Sequence, residues 1–478
     1  MKKRTLLIIA KQFCASVFKS KAIYLLVLTL VVLLVIAARS GVAYYDQNHY
    51  RIDHQQMARE SWEGNPDKHP HRMAHFGTFA FRLKHPLSIF DFGVESFTGN
   101  AVFLEAHKQN VVNFSEASFS TGLLRFGELS MAMVLQTILP LIIFFIGYSA
   151  IVADRENGTL KILLTQGAKW KEILFGKALG LSAISLLFCL PFLGTITFIL
   201  LTEEHVVQDD WMRFAIIVIA YSLVCFILSF ITIYVSLKSD SSKNALVKLL
   251  GLWLLMVILV PRTSQAIGAY FYETPSKVEF RAAIEQDVLK YGDSHDINDP
   301  FFKALKDSVL QANHVKTVEE LPFNYGGFLM SKGERISANI YGEHHKQLLD
   351  QYRKQNQLTQ WLAIINPFLA LKNLSMSVSG TDFESYVHFQ EQAEDYRYKL
   401  AQKMNSLQMK YITPNPNDKT KGSQVSRDQW KSFSDFQYTQ LTTEAAILNV
   451  KVSIISILSW FIFSIALLVY GAKKATAI

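Results

Sequence analysis

Six runs of this chain are long and apolar enough to cross a lipid bilayer: residues 22–38, 129–152, 178–201, 214–237, 249–269 and 452–472. About 20 apolar residues in a helix span a hydrocarbon core of roughly 30 Å, where every backbone amide must find its partner inside the protein. That one feature restricts the fold to an α-helical, polytopic membrane protein with six transmembrane helices. A hydrophobic share of 50% and a mean hydropathy of +0.17 belong with this class rather than with a soluble enzyme. Run 249–269 is interrupted by Pro261-Arg262. Arg262 either snorkels to the interface or lines a polar path, and the rarity of charge in hydrocarbon favours the first.

Charge sets the expected orientation, because Lys and Arg mark the cytoplasmic loops. Segment 1–21 carries Lys2, Lys3, Arg4, Lys11, Lys19 and Lys21 and no acid, and segments 153–177, 238–248 and 473–478 are basic as well. Together these four hold sixteen basic and four acidic residues, more than enough to account for the net charge of +8. The basic excess therefore calls for no nucleic-acid partner. Placing them inside gives a multi-pass protein of a bacterial inner (cytoplasmic) membrane with both termini cytoplasmic. Two large extracytoplasmic regions follow, 39–128 and 270–451, with 202–213 as a short external loop. Segment 1–21 is half apolar between its lysines, which fits an N-terminal interfacial helix better than a cleaved signal peptide. Cys14, Cys189 and Cys225 all lie outside the external regions, so packing rather than disulfides must hold those regions together.

Region 39–128 opens loop-rich, through "EGNPDKHPHR", and ends as an aromatic lobe. His69, His71 and His75 stand in "HPHRMAH", but no glutamate follows His71, so the zinc-protease spacing is missing. Pro66 and Pro70 favour an exposed loop there. Region 270–451 is expected to be mainly helical. Thr381 and Glu384 have capping-box spacing, and Phe389, Ala393, Tyr396, Leu400, Met404, Leu407 and Tyr411 then recur three and four apart. Upstream, "WLAIINPFLALKNLSM" is too short to span. It either dips into the outer interface or forms core of the external domain, the latter being favoured.

The middles of the spans hold no ionisable residue, as an ion-coupled carrier would need. Neither a phosphate-binding G-x-x-x-x-G-K-[ST] nor a G-x-S-x-G elbow occurs. No enzymatic activity, metal or cofactor of its own is therefore expected. Attention falls on 153–177, a charged hairpin between two of the greasiest runs. Asp154, Arg155 and Glu156 should end the second span near Val152. "ENGTLKILLTQG" then reads as a short helix, begun near Asn157 or Thr159, closed at Gly167, with Leu160, Leu163 and Leu164 on one face.

"ENGTLKILL" followed by "ILFGKAL" resembles the signature of type-2 ATP-binding-cassette exporter permeases. Glu156, Gly158, Thr159, Leu160, Gly176 and Lys177 match it residue by residue; Gly167-Ala168-Lys169 departs from the proline and arginine of many members. The resemblance implies that the hairpin is a coupling helix docking on a separate ABC ATPase subunit. Asp154, Arg155, Glu156, Gly158, Thr159, Leu160, Leu163 and Lys177 would then carry the coupling. ATP and Mg would be bound by that subunit and not by this chain, and a second permease copy or a related permease would complete the path through the lipid bilayer. "INPFLALKNLSMSVSGTDFESYVHFQEQAEDYR" is similar to a bacterial branch of these permeases that has a large external domain and no assigned substrate. The residues carrying this are Asn366, Pro367, Gly380, Thr381, Asp382 and Arg397. Two further readings stand beside the permease: a membrane-anchored enzyme of the cell envelope, and a scaffold transmitting strain from the external domain.

Overall fold

The computed structural model describes residues 2–106, 109, 129–203, 206–292, 299–414 and 422–476. It is an α-helical protein with six helices, or helix pairs, long and apolar enough to cross a membrane. The first is α2 (Lys21–Tyr45), preceded by α1 (Lys3–Lys19) and followed after a bend at Asp46 by α3 (Gln47–Glu63). Next come α4 (Pro70–Phe76) and an antiparallel ribbon of β1 (Thr78–Phe81) and β2 (Ala101–Leu104), with Thr78 opposite Leu104 and Phe81 opposite Ala101.

The second span is α5 (Met131–Gly147), and the hairpin after it contains α6 (Val152–Glu156) and α7 (Thr159–Thr165). The third and fourth are α8 (Trp170–Thr202) and α9 (Gln208–Leu237). The fifth is built from α10 (Ser242–Trp253), a π-helical segment Leu254–Leu259, and α11 (Val260–Phe271). Four helices form most of the following domain: α12 (Lys277–Tyr291), α13 (Pro300–Ala312), α14 (Tyr325–Leu362) and α16 (Phe383–Tyr411), with α15 (Pro367–Val378) between the last two. The sixth span is α17 (Lys451–Lys474).

The helix ends define two sides. One, the hairpin side, carries α1, the α6–α7 hairpin and the carboxyl end of α17. The far side carries α3, α4, the ribbon and α12–α16. Helix α8 starts well before the apolar run 178–201 because Glu172 organises its first turn, accepting from Lys169 N (3.1 Å) and from Lys2 N (2.6 Å). Its 33 residues make a rod of about 50 Å that outreaches the bilayer on the hairpin side.

Three expectations about the far side need correction. The stretch after residue 45 read as loop-rich is helix over α3, whose buried residues are Asn48, Arg51 and Trp62. Asn48 brackets Lys84, donating to its carbonyl (3.1 Å) and accepting from its amide (2.8 Å), while Arg51 donates to Arg82 O (2.8 Å). The His71 region is likewise helix (α4), begun by Pro70, with His69 Nδ1 accepting from His71 N (3.2 Å) and the His71 and His75 rings 4.6 Å apart. The cap of α16 is Asp382, not Thr381: Asp382 Oδ1 accepts from Ser385 N (3.0 Å), while Glu384 turns to Arg353.

The proline-broken segment joins the bundle. Helix α15 packs on α9 and α17 and shares the core that the spans form among themselves. Asn366 caps it, accepting from Phe368 N (3.0 Å), and donates through Nδ2 to Met256 O (2.8 Å) in the π segment. A π turn leaves carbonyls off the regular ladder, and an amide donor satisfies one. Residues 86–91 enter the bundle beside α15. Phe90 packs tilted against Phe192 and edge-on against Tyr221, and the Asp91 carboxylate accepts from Ser375 Oγ (2.5 Å). The bundle thus contains an acid contributed from outside the spans.

Candidate functional site

The hairpin is held from both ends by its own chain. Gly147 lets α5 approach Leu181 of α8 and Thr232 of α9, and Ser236 Oγ then accepts from Ile151 N (2.9 Å) and Val152 N (3.2 Å) where the helix breaks. Arg155 reaches across to the end of α9 and donates to Leu237 O (2.9 Å) and Ser239 O (3.0 Å). Helix ends leave carbonyls unpaired and carry partial negative charge, so a guanidinium fits there twice over. Glu156 does the opposite task at the start of α10, accepting from Ser242 N (2.9 Å) and Ser242 Oγ (2.6 Å). Lys177 of α8 pairs with Asp154 and also donates to Ala150 O. Three charged residues of one turn therefore fasten it to α8, α9 and α10.

Helix α7 follows at a sharp corner. Gly158 has φ +76°, a left-handed conformation cheap only for glycine, and its amide donates to Arg155 O (3.2 Å). Gly167 closes the helix at φ +87°, with its amide on Leu164 O. Leu160 is fully buried in the main core, and Leu163 and Leu164 pack against it. The other face carries exposed Thr159, Lys161, Ile162, Thr165 and Gln166.

The residues singled out from the sequence thus divide. Asp154, Arg155, Leu160, Leu163 and Lys177 face inward and fix the hairpin; Gly158 shapes it. Glu156 and Thr159 are exposed at its tip. The outward set Lys161, Ile162, Thr165 and Gln166 carried no signal in the sequence, and its one apolar member, Ile162, is exposed.

Helix α1 braces the same region. It runs beside the first turns of α8, and a Cβ at Gly176 would stand 3.0 Å from Leu6 O and 2.9 Å from Ile9 Cβ. At Gly180 the added atom would meet Ala10 O at 2.9 Å, and Cys14 Sγ donates to Gly180 O (3.4 Å). Two glycines one turn apart make the groove in which Leu6, Ile9 and Phe13 are buried.

The second motif lies on the far side. Asn366 and Pro367 begin α15. Gly380, at φ +68°, reverses the chain between α15 and α16, and its carbonyl accepts from Arg82 Nη2 (2.9 Å). Thr381 O accepts from Val94 N (2.9 Å), and Asp382 caps α16. Arg397 sits in the interior, 1% exposed, between two carboxylates: Nη1 lies 2.7 Å from Glu334, and Nε and Nη2 bind Glu394 at 2.8 and 2.7 Å. Burial pushes the Glu394 carboxyl up, against the pull of Arg397. For Arg397 burial acts downward, yet its two acids more than offset it and hold the guanidinium charged. Glu334, on α14, carried no signal in the sequence because its partner lies more than sixty residues away. The cluster borders a cavity of 360 Å³ lined also by Tyr341, His345 and Gln390.

The curated proteins offer no match to the chain. A family described as a domain of unknown function (DUF3526) matches residues 277–439, from the first residue of α12 through Glu334, the α15–α16 corner and Arg397, and leaves the hairpin outside.

Proposed function

We propose that this chain is the permease subunit of an ATP-driven exporter, and that the α6–α7 hairpin is where a separate ABC ATPase subunit docks. On this reading the hairpin side is cytoplasmic, the membrane is a bacterial inner membrane, and the partner binds ATP and Mg. The observation that carries the proposal is the division of the hairpin. Its inner charges are consumed by α8 and α9, and Glu156 at the tip reaches α10, so a push on the tip is delivered to three spans at once.

Helix α9 then acts as the transmitting rod. At the hairpin end Arg155 holds its last carbonyls. At the far end Arg213 donates to Val378 O (3.2 Å), where α15 ends, and to Leu441 O, and Asp210 lies 2.9 Å from His85. Motion of the hairpin would so reach the far-side domain without passing through any flexible link. The fifth span supports the need for a second permease, since only 11% of its apolar window is buried within the chain. A span this uncovered leaves room for a second copy or a related permease along it.

The test uses two substitutions in the reconstituted complex. Gly158→Pro cannot adopt φ +76° and removes the amide that bonds Arg155 O, so the corner is lost. Glu156→Lys puts a cation beside the first turn of α10. Both variants should insert normally, while transport-linked ATP hydrolysis falls at least about tenfold, as for charge reversal at a docked contact. Normal coupling in both would remove the docking assignment.

A further inference from the structure

A cavity of 510 Å³ lies where the spans meet the far-side domain, and it is walled by both. From the bundle come Pro261 and Gln265 of α11 and Lys372 and Asn373 of α15; from the domain come Arg353 and Lys354 of α14. The walls continue into apolar surface. Trp361 stands in the last turn of α14, Ile364 and Ile365 follow just after it, and Tyr270 and Phe271 end α11, all of them exposed. Aromatic side chains at the ends of spans mark the level of lipid headgroups. The cavity therefore stands at the depth of the far headgroup layer, next to uncovered apolar helix.

Its charges are unequally used. The carboxylates of the lining are occupied within the chain: Glu384 binds Arg353 in two bonds (3.1 and 2.9 Å), Asp350 lies 3.6 Å from the same guanidinium, and Asp382 caps α16. The exposed Lys354 and Lys372, on two different walls, form no ion pair among the described residues. Asn373 Nδ2 is buried and has no acceptor. A buried amide donor without a partner is costly, and folded proteins rarely keep one unless something else supplies the oxygen. Lys372 also faces the buried Asp91 carboxylate from α15, so the groups left for a ligand are the exposed ends of two lysines and one amide donor, all suited to an anionic oxygen.

We infer that this cavity binds the anionic, phosphate-type headgroup of a membrane amphiphile, whose acyl chains lie along the exposed far end of the fifth span, over α11 and the π segment. Lys354 and Lys372 supply charge from opposite walls, and Asn373 donates a hydrogen bond to the headgroup. As a binding site this stands apart from the exporter reading. Only the further step, that the bound amphiphile is cargo, rests on it.

Full-length protein in detergent, titrated with phosphatidylglycerol, phosphatidylcholine or inorganic phosphate and read by native mass spectrometry, tests the site without any ATPase. Phosphatidylglycerol should bind at least about tenfold more tightly than phosphatidylcholine, and inorganic phosphate should not displace it, because the apolar contacts are missing. The double variant Lys354→Gln/Lys372→Gln should weaken phosphatidylglycerol binding about thirtyfold, the loss expected for two lysines near an anionic surface. Asn373→Ala should weaken it less, and Lys346→Gln, on the same helix but at the other cavity, should leave it unchanged. Equal binding of the two lipids, full binding by the double variant with an unaltered melting profile, or displacement by inorganic phosphate would each overturn the assignment to a lipid headgroup. Failure of the hairpin substitutions to uncouple ATP use would leave it standing.

Discussion

Replacing Arg397 by alanine is expected to destabilise the far-side helical domain by about 3–5 kcal/mol, the cost of leaving buried charge without its counterion. The guanidinium pairs with both Glu334 and Glu394, and Glu334 has a fully buried side chain. Its removal takes their shared counterion from two carboxylates between α14 and α16, the pair of helices on which the domain is built. The pH dependence of the variant follows from the sign of the shift. Stranded carboxylates have folded pKa values raised above the unfolded ones, so the folded state binds more protons and its stability falls as pH rises. The loss should be larger at about pH 8 than at about pH 5. Hydrogen exchange of α14 and α16 peptides reads the effect directly, as early opening of both helices together. Adding Glu334→Leu to Arg397→Met should recover much of the stability, since an apolar replacement of a buried ion pair is often neutral or better. Unchanged exchange in Arg397→Ala would show that the cluster is solvated and not part of the core.

Gly176→Leu should release α1 from α8. Leu6 O and Ile9 stand where the new Cβ would go, at 3.0 and 2.9 Å, and backbone cannot step aside as a flexible side chain can. Overpacking of this kind costs about 1–3 kcal/mol, a large share of the roughly 4–9 kcal/mol that a short helix gains by burying three apolar side chains, so α1 should open from α8 far more often. Cys14 reports the outcome. Its thiol is partly covered and burial pushes its pKa up, so it should react slowly with maleimide in the native protein. Cys189 and Cys225 are buried in α8 and α9, with sulfurs 3.9 Å apart. Labelling at Cys14 should therefore accelerate in the variant while the six spans stay inserted. An unchanged rate would mean that α1 is held by contacts other than the groove.

Much of this architecture is visible in the residues because a bilayer leaves few solutions for an apolar run. Segments near 22–38, 129–152, 178–201, 214–237, 249–269 and 452–472 lie in helices. The closing corner of the hairpin is visible for a similarly local reason, since Gly167 tolerates a left-handed backbone; the opening corner falls on Gly158, between the Asn157 and Thr159 starts expected from the sequence. What was illegible depends on partners far along the chain. Arg155 and Glu156 could be read only as charges that end a span, because the groups that bind them lie at Leu237, Ser239 and Ser242. Helix α3 lacks an apolar stripe since its buried Asn48 and Arg51 serve the edge of the ribbon. Thr381 matched a capping box by spacing, but its hydroxyl donates to Met376 O (3.3 Å), and Asp382 takes the cap. Asp91 lay outside every apolar run, so nothing local marked it as a residue of the bundle.

The central claim is that the hairpin tip meets an ATPase. It is tested most directly by gentle purification of the tagged protein from its own membranes, with identification of every co-purifying chain and an assay of ATP hydrolysis. The account predicts a stoichiometric ATPase subunit whose retention depends on Glu156 and survives loss of Arg397. An intact six-span chain that never carries an ATPase would contradict it, and would reduce the hairpin to a turn between two spans.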